Sequence, residues 1–151
     1  MQVIKDKKII ENTWQFIADD QVLPATGDIS VSLTRWQQEK QQLVQRDSLL
    51  GVRLDPSEEV ADLAEDLPKL ALLELNFGLY TDGRGFSQAR QLRHQYGYQG
   101  EVRAVGAFML DQVYYLVRVG VNGFELENPQ HLTWALESME DFSYSYQPST
   151  M

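Results

Sequence analysis

Residues 81–87 carry the side chains of this 151-residue chain that are best suited to binding chemistry, in the order Thr-Asp-Gly-Arg-Gly-Phe-Ser. The glycines on either side of Arg84 permit tight turns and a close approach of the backbone to a ligand. The helix predicted to follow offers free backbone N–H groups and the positive end of its dipole, and the guanidinium adds a planar fork that fits phosphate, sulfate or carboxylate. The segment is therefore a candidate anion-binding loop. The alternative is a structural turn, in which Asp82 satisfies backbone donors and pairs with Arg84 or Arg90.

Five arginines between residues 84 and 118 form a positive island in an otherwise acidic chain, unless they only decorate solvated helix faces. We expect Arg84, Arg90 and Arg103 to hold an anion or an acidic partner. Asp111 and Gln112 open a predicted helix, where an Asp is more often an N-cap than an acid–base catalyst. The candidate ligand-binding residues are Asp82, Gly83, Arg84, Gly85, Ser87, Arg90, Arg103, Asp111 and Gln112. The sequence assigns no catalytic residue.

The composition excludes several classes of function. Without cysteine the chain cannot hold an iron–sulfur cluster by thiolates, attach a c-type haem or form a redox disulfide. Its two histidines, His94 and His131, give no support for a zinc site, so no metal site is expected. A net charge of −9 argues against nucleic-acid binding. A redox role would need a bound flavin or NADPH, and the sequence contains neither a Walker A nor a GxGxxG fingerprint.

The same composition indicates where the chain resides. No stretch approaches the ~20 consecutive apolar residues of a membrane span, and no apolar segment of a secretory signal follows the charged N-terminal residues. The lack of cysteine fits a reducing compartment. We therefore expect a cytoplasmic protein that makes no contact with membranes.

From residue 49 onward, short apolar runs alternate with helix patterns. Strands are predicted to begin near residues 49, 70, 102 and 123. The alternation predicts an α/β fold of four successive βα units with a mainly parallel sheet, either open or resembling a half-barrel. We expect a single domain that comprises a short N-terminal β extension (1–32), a βα-repeat core (33–141) and a tail (142–151).

Capping residues and apolar spacing locate the predicted helices. A first helix is expected over about 34–46, a second from the N-cap Asp55 to about residue 67, and a third from Ser87 to Gly97. Further helices are expected over 111–119 and after Asn128. In the N-terminal extension, a strand pair is predicted from residues 8–18 and a piece around Val22.

Three segments resemble a bacterial family of uncharacterised proteins, domain-of-unknown-function family 934. They are DGRGFSQARQLR (82–93), YGYQGEVRAVG (96–106) and LDQVYYLVRVGVNGFEL (110–126). Members of that family are labelled as oxidoreductases of sulfite reduction, because their genes lie beside sulfite reductase. The resemblance thus implies a role in assimilatory sulfur metabolism and sulfite reductase components as partners, but it implies no mechanism.

These observations lead to one main hypothesis and two alternatives. The main hypothesis is an accessory protein of sulfite reduction that binds a small anion or a reductase component through residues 82–87. The first alternative is an oxidoreductase that uses a bound flavin or nicotinamide cofactor, and the second is a structural subunit without a ligand. The sequence leaves open whether the chain is an enzyme and whether it forms a homo-oligomer.

Overall fold

One sheet of eight strands forms the centre of the computed structural model, which describes residues 1–77, 83–108, 110–126 and 128–139. The strands are β1 (Gln2–Lys5), β2 (Lys8–Glu11), β3 (Trp14–Phe16), β4 (Asp28–Ser32), β5 (Leu50–Leu54), β6 (Leu72–Phe77), β7 (Glu101–Gly106) and β8 (Gly123–Phe124). Their order across the sheet is β2-β1-β8-β7-β6-β5-β4-β3. The four predicted strand starts therefore lie within two residues of the starts of β5, β6, β7 and β8.

The sheet is mixed, which corrects the prediction of a mainly parallel sheet. Neighbouring strands from β3 to β8 run parallel, whereas β1 pairs antiparallel with both β8 and β2. The turn between β1 and β2 accounts for the first of these pairings, since Asp6 and Lys7 have φ of 51° and 65°. A two-residue turn with both φ values positive joins antiparallel strands.

The sheet curls strongly, because its two edge strands are consecutive in the chain. Only Asn12 and Thr13 connect β2 at one edge to β3 at the other. Two linking residues span at most about 11 Å between the flanking Cα atoms. No backbone ladder joins β2 to β3 within residues 1–77, so the sheet is an open, curled half-barrel rather than a closed barrel.

Helices cover the outer face of the sheet. They are α1 (Leu33–Leu43), α2 (Arg84–Arg90), α3 (Val113–Arg118) and α4 (132–139), and a π-helical turn (Gln91–Gln95) continues α2. Short 3₁₀ turns span Val60–Leu63, Leu67–Lys69, Leu110–Gln112 and Pro129–His131. The helices bury Trp36, Ala89 and Leu92 in one apolar core with the strand residues that face them. No helix in the described ranges has both the length and the apolar character that crossing a bilayer requires.

The predicted helix from Asp55 to residue 67 is absent, and with it the helix of the first of the four expected βα units. One half of the predicted capping box forms, since the backbone N–H of Asp55 donates to Glu58 Oε1 at 2.7 Å, whereas the N–H of Glu58 donates to the backbone carbonyl of Asp55. Beyond it, the buried Asp66 accepts a hydrogen bond from Trp36 Nε1 at 2.9 Å and pairs with Lys40 at 2.8 Å. These tertiary bonds hold the segment against α1 in 3₁₀ turns, and they outweigh helix propensity.

Three smaller predictions also need correction. The third helix begins at Arg84 instead of Ser87, because Gly83 adopts φ of 89° and serves as its N-cap. The helix predicted from Asp111 begins at Val113, after a 3₁₀ turn. Val22 is 90% exposed and lies outside the strands. The predicted tail lies outside the described residues.

Arg93 joins the end of the π-helical turn to two loops. Its Nε donates to the carbonyl of Gly120 at 2.9 Å, and its Nη1 donates to the carbonyls of Tyr98 and Gly100, each at 2.8 Å. Its Nη2 donates to Asn122 Oδ1 at 3.1 Å. The side chain thus serves as a structural clamp, although it belongs to the arginine island.

Replacing Arg93 with alanine is expected to lower the free energy of unfolding by about 3 kcal/mol, because several buried carbonyl groups lose their donor. Arg90→Ala is the matched control, since Arg90 lies exposed on the same helical segment. That control should change stability by less than about 0.5 kcal/mol. Urea denaturation measures both, and equal effects would show that the clamp contributes no stability of its own.

Candidate functional site

The charged residues of the central strands lie in one row across the sheet. Ser32, Arg53, Glu74, Arg103 and Gly123 are successive cross-strand partners from β4 to β8. Side chains alternate between the two faces along each strand, so these residues share one face. The adjacent row, formed by Val31, Val52, Leu73 and Val102, belongs to the apolar core beneath the helices.

The charged row faces the concave side of the curled sheet. Asn12, in the link between the two edge strands, accepts a hydrogen bond from Arg103 Nη1 at 3.0 Å. The link therefore crosses the face that carries Arg103, and the curl closes over that face. We call it the concave face; its charged residues are Lys5, Arg53, Glu74, Glu101, Arg103 and, as shown below, Glu125.

Arg53 and Glu74 form the pair at the centre of the row. Arg53 Nε and Nη2 donate to the two oxygens of Glu74 at 3.1 and 3.2 Å, and Ser30 Oγ donates to the same carboxylate at 2.6 Å. The guanidinium also lies 3.9 Å from the ring centroid of Phe16, where the π-system attracts a cation. Glu74 is only 2% exposed, whereas the Arg53 side chain is 21% exposed. The orientation of Arg53 is therefore fixed while part of its guanidinium meets solvent.

A second ion pair lies on the same face of β7. Arg103 Nε donates to Glu101 Oε2 at 2.7 Å, and the other carboxylate oxygen lies 3.9 Å from Lys5 Nζ on β1. Both members of the pair are buried, Arg103 at 1% exposure. Gly123 makes room for them, because a Cβ at that position would collide with Glu101 Oε2. Removing one partner of such a pair typically costs 3–5 kcal/mol, since an unpaired charge stays buried.

Glu125 is the carboxyl group on this face without a hydrogen-bond or ion-pair partner among the residues described. It directly follows Phe124, the register partner of Ala104, so its side chain points to the same side as that of Gly123. Burial raises its pKa, and the negative charge of Glu74 raises it further, while Arg53 and Arg103 lower it. Interaction with Arg53 is possible because the curl brings β5 and β8 towards each other, although two strands separate them in the sheet order.

Arg53 and Glu125 lie at or just beyond the carboxyl ends of their parallel strands. In barrel-like α/β proteins this end of the sheet holds ligands, because the loops that follow the strands meet there. A partly exposed guanidinium beside an unpartnered carboxyl group can bind an oxyanion through one cationic and one neutral donor. No cluster of three or more His, Asp or Glu side chains suited to a metal ion occurs in the described ranges.

The described part of the predicted loop, residues 83–87, lies in the outer helix layer and not on the concave face. Asp82 falls outside the described residues. Arg84 is exposed at the start of α2, and Gly85 packs so closely on the Phe77 ring that a Cβ would collide with it. The backbone N–H of Ser87 donates to the carbonyl of Gly83 at 3.1 Å within the first helical turn. Gly83 and Gly85 thus each have a structural reason to be glycine.

The structure does not bring the predicted arginines together. Arg84 and Arg90 lie on α2, which packs its apolar side against the outer face, whereas Arg103 is enclosed on the concave face. Asp111 is exposed in a 3₁₀ turn, and Gln112, which follows it, is the N-cap of α3. The arginine island of the sequence is therefore distributed over both faces of the sheet.

Sequence reasoning identified only one residue of the concave face as a site residue, Arg103. Glu101 lies on the same side of β7 as Arg103. The missed residues were Arg53, Glu74 and Glu125. The sequence feature that could have revealed them is a charged residue inside a short apolar run, as Glu74 stands within LALLELNF. A charge in a strand that is buried on both faces needs a partner on a neighbouring strand.

Two comparisons with known proteins bear on this site. A model of the family described as "bacterial protein of unknown function (DUF934)" matches residues 51–151. The matched span begins two residues before Arg53 and includes every charged residue of the concave face except Lys5. No curated protein matches the chain.

The Glu125→Gln variant should be more stable than the wild type at neutral pH. Because burial raises the pKa of Glu125, the native state binds more protons than the unfolded state between the unfolded and native pKa values. The contribution of Glu125 to stability is therefore present at pH values below its pKa in the unfolded state. It is lost as pH rises through its pKa in the native state. The advantage of the variant should vanish below about pH 4.

Chemical denaturation across that pH range measures the difference. Glu137→Gln is the matched control, since Glu137 is exposed on α4 and should show no such pH-dependent gain. A Glu125→Gln variant that loses stability at pH 7 would contradict the placement of an unpaired carboxylate on the concave face.

Proposed function

The chain belongs to the bacterial DUF934 family, and we propose that it binds a small oxyanion at the carboxyl end of the concave face, as an accessory protein of sulfur metabolism. The observation that carries this proposal is the state of Arg53. Its Nε and Nη2 are bonded to Glu74, but its Nη1 makes no hydrogen bond within the described residues. A fixed, partly exposed guanidinium with an unused donor is suited to a planar or tetrahedral oxyanion.

The surroundings of Arg53 favour a small ligand. Ser30 and Phe16 hold Glu74 and the guanidinium in place, so binding costs little side-chain entropy. Asn76, at the end of β6, donates to Asp55 Oδ1 at 3.1 Å and forms part of the rim at this end of the sheet. The interior of an eight-stranded barrel-like sheet is filled by side chains or holds one small ligand, and it is too narrow for a polymer.

The link to sulfur metabolism comes from the resemblance to a family whose genes lie beside sulfite reductase. Sulfite and sulfate are oxyanions of the size and charge that one guanidinium and one neutral donor can bind. The protein would then hold or deliver such an anion next to the components of a sulfite reductase. The oxidoreductase label of the family adds flavin mononucleotide and NADPH to the ligands that should be tested.

The loop at residues 82–87 is the competing location for the same function. Its described part lies near the same end of the sheet, because Gln88 Nε2 donates at 2.9 Å to the carbonyls of Asp55 and Glu58, just beyond β5. Arg84 could therefore contact the same anion from the rim or hold it alone. Separate variants on each layer distinguish these arrangements.

We expect sulfite or sulfate to bind the wild type and to bind an Arg53→Met/Glu74→Gln variant at least about tenfold more weakly. The double substitution removes the guanidinium without leaving Glu74 as an unpaired charge, so the fold should survive. Isothermal calorimetry with sulfite, sulfate, phosphate, adenylyl sulfate, flavin mononucleotide and NADPH measures the affinities.

Two further variants serve as controls. Glu137→Gln, on the exposed side of α4, should retain binding, and Arg84→Ala should leave affinity within about threefold if the concave face is the site. Loss of binding only in Arg84→Ala would move the site to the loop. A wild type that binds no anion of the panel would refute the proposed function.

A further inference from the structure

We propose that anion binding at the concave face takes up one proton, which resides on the Glu125 carboxyl group and is donated in a hydrogen bond to the bound oxyanion. The inference rests on the proposed function and assigns a specific role within it. It defines the ligand class as oxyanions that accept hydrogen bonds from one charged donor, the Arg53 guanidinium, and from one neutral donor, the hydroxyl of the protonated Glu125 carboxyl group.

Geometry is the first support for this role. The backbone N–H of Glu125 donates to the carbonyl of Ala104 at 2.9 Å, which continues the pairing of β8 with β7 and fixes the direction of the side chain. Glu125 lies one pleat beyond Gly123, the neighbour of Arg103 in the charged row. It is half-buried, and no donor in the described part of the chain satisfies its oxygens. In this position it can donate to a ligand only when protonated.

The charge balance of the concave face is the second support. Three cationic side chains, Arg53, Arg103 and Lys5, face the two paired carboxylates of Glu74 and Glu101. At the rim, Asp55 accepts a hydrogen bond from Asn76, and Asp19 accepts one from Ser32, so these two carboxylates are also hydrogen-bonded. Protonating Glu125 makes the face more positive by one charge, whereas an ionised Glu125 repels an anion at short range. Protonation of this one group therefore favours anion binding.

The charged groups that face Glu125 from the neighbouring strands are engaged with one another. Arg103 and Glu101 on β7 pair with each other, as do Glu74 on β6 and Arg53 on β5. Lys5 on β1 lies beside Glu101. Burial and the charge of Glu74 raise the pKa of Glu125 itself, which moves its titration towards neutral pH. The same carboxyl group thus combines the position and the proton affinity that the role requires.

Sulfate is the probe that tests the proton uptake, because it stays a dianion from about pH 5 to about pH 8 and contributes no proton of its own. Calorimetric titrations in buffers with different ionisation heats give the number of protons taken up on binding. We expect a net uptake of protons by the wild type on binding. Because proton uptake and pH dependence are linked, sulfate affinity should fall as pH rises.

Glu125→Gln is the decisive variant, since its amide N–H donates without any proton uptake. It should retain sulfate affinity within about threefold of the low-pH wild type and lose both the proton uptake and the pH dependence. Glu125→Ala should bind more weakly at every pH. Glu137→Gln should behave as the wild type does, because Glu137 lies on the outer helix layer.

The outcomes separate this inference from the proposed function. Sulfate binding without proton uptake, or an unchanged pH profile in Glu125→Gln, would overturn the role of Glu125 and leave anion binding intact. A wild type that does not bind sulfate, sulfite or phosphate at any pH would overturn both. Proton uptake that persists in Glu125→Gln would place the titrating group elsewhere and equally reject the inference.

Discussion

The two-residue link between β2 and β3 is the constraint on which the rest of the structure depends. Eight strands in a flat sheet would separate the edge strands by about 34 Å, at roughly 4.8 Å per neighbour. Asn12 and Thr13 can span only about a third of that distance, so the sheet has to curl until its edges approach. The bond between Asn12 and Arg103 fastens the link to the opposite wall and gives the curl its direction.

The curl also explains the division of the side chains between the two faces. The outer face is broad and receives the helices, so it can be apolar throughout. The concave face is narrow and partly excluded from water, where an isolated charge is costly. Arg53 and Arg103 consequently each have a carboxylate partner on the same face. This pairing keeps the fold stable and leaves charged groups on the concave face. There, salt only weakly screens the interaction between these groups and a charged ligand.

The sequence was sufficient to predict the elements that depend on local pattern. Alternating apolar runs predicted β5 to β8, and apolar spacing predicted α1 to within three residues at either end. Long-range contacts decided the parts that failed. The bonds from Trp36 and Lys40 to Asp66 replaced a helix with 3₁₀ turns, and the pairing of Ile4 with Phe124 placed β1 antiparallel to β8. Neither effect has a local signature in the segment that it changes.

The concave face was hidden from the sequence for a related reason. Glu74 stands in a run that is apolar on both sides, and its partners Ser30 and Arg53 lie 44 and 21 residues away. Only the register of the strands brings them together, and register follows from pairings that no single segment specifies. The loop at residues 82–87 attracted attention because its unusual residues are contiguous, although Gly83 and Gly85 serve the start of α2.

Glu125 differs from the other carboxylates of the concave face in a way that stability alone does not account for. Glu74 and Glu101 are each held by an arginine, whereas Glu125 is half-buried without a partner in the described ranges and has a raised pKa. Ionising such a group in the native state costs free energy, and a residue that lowers stability is typically retained at a functional site. Nη1 of Arg53 likewise makes no hydrogen bond within the described residues. An oxyanion would complete both groups at once, since it accepts from the arginine and from the protonated carboxyl.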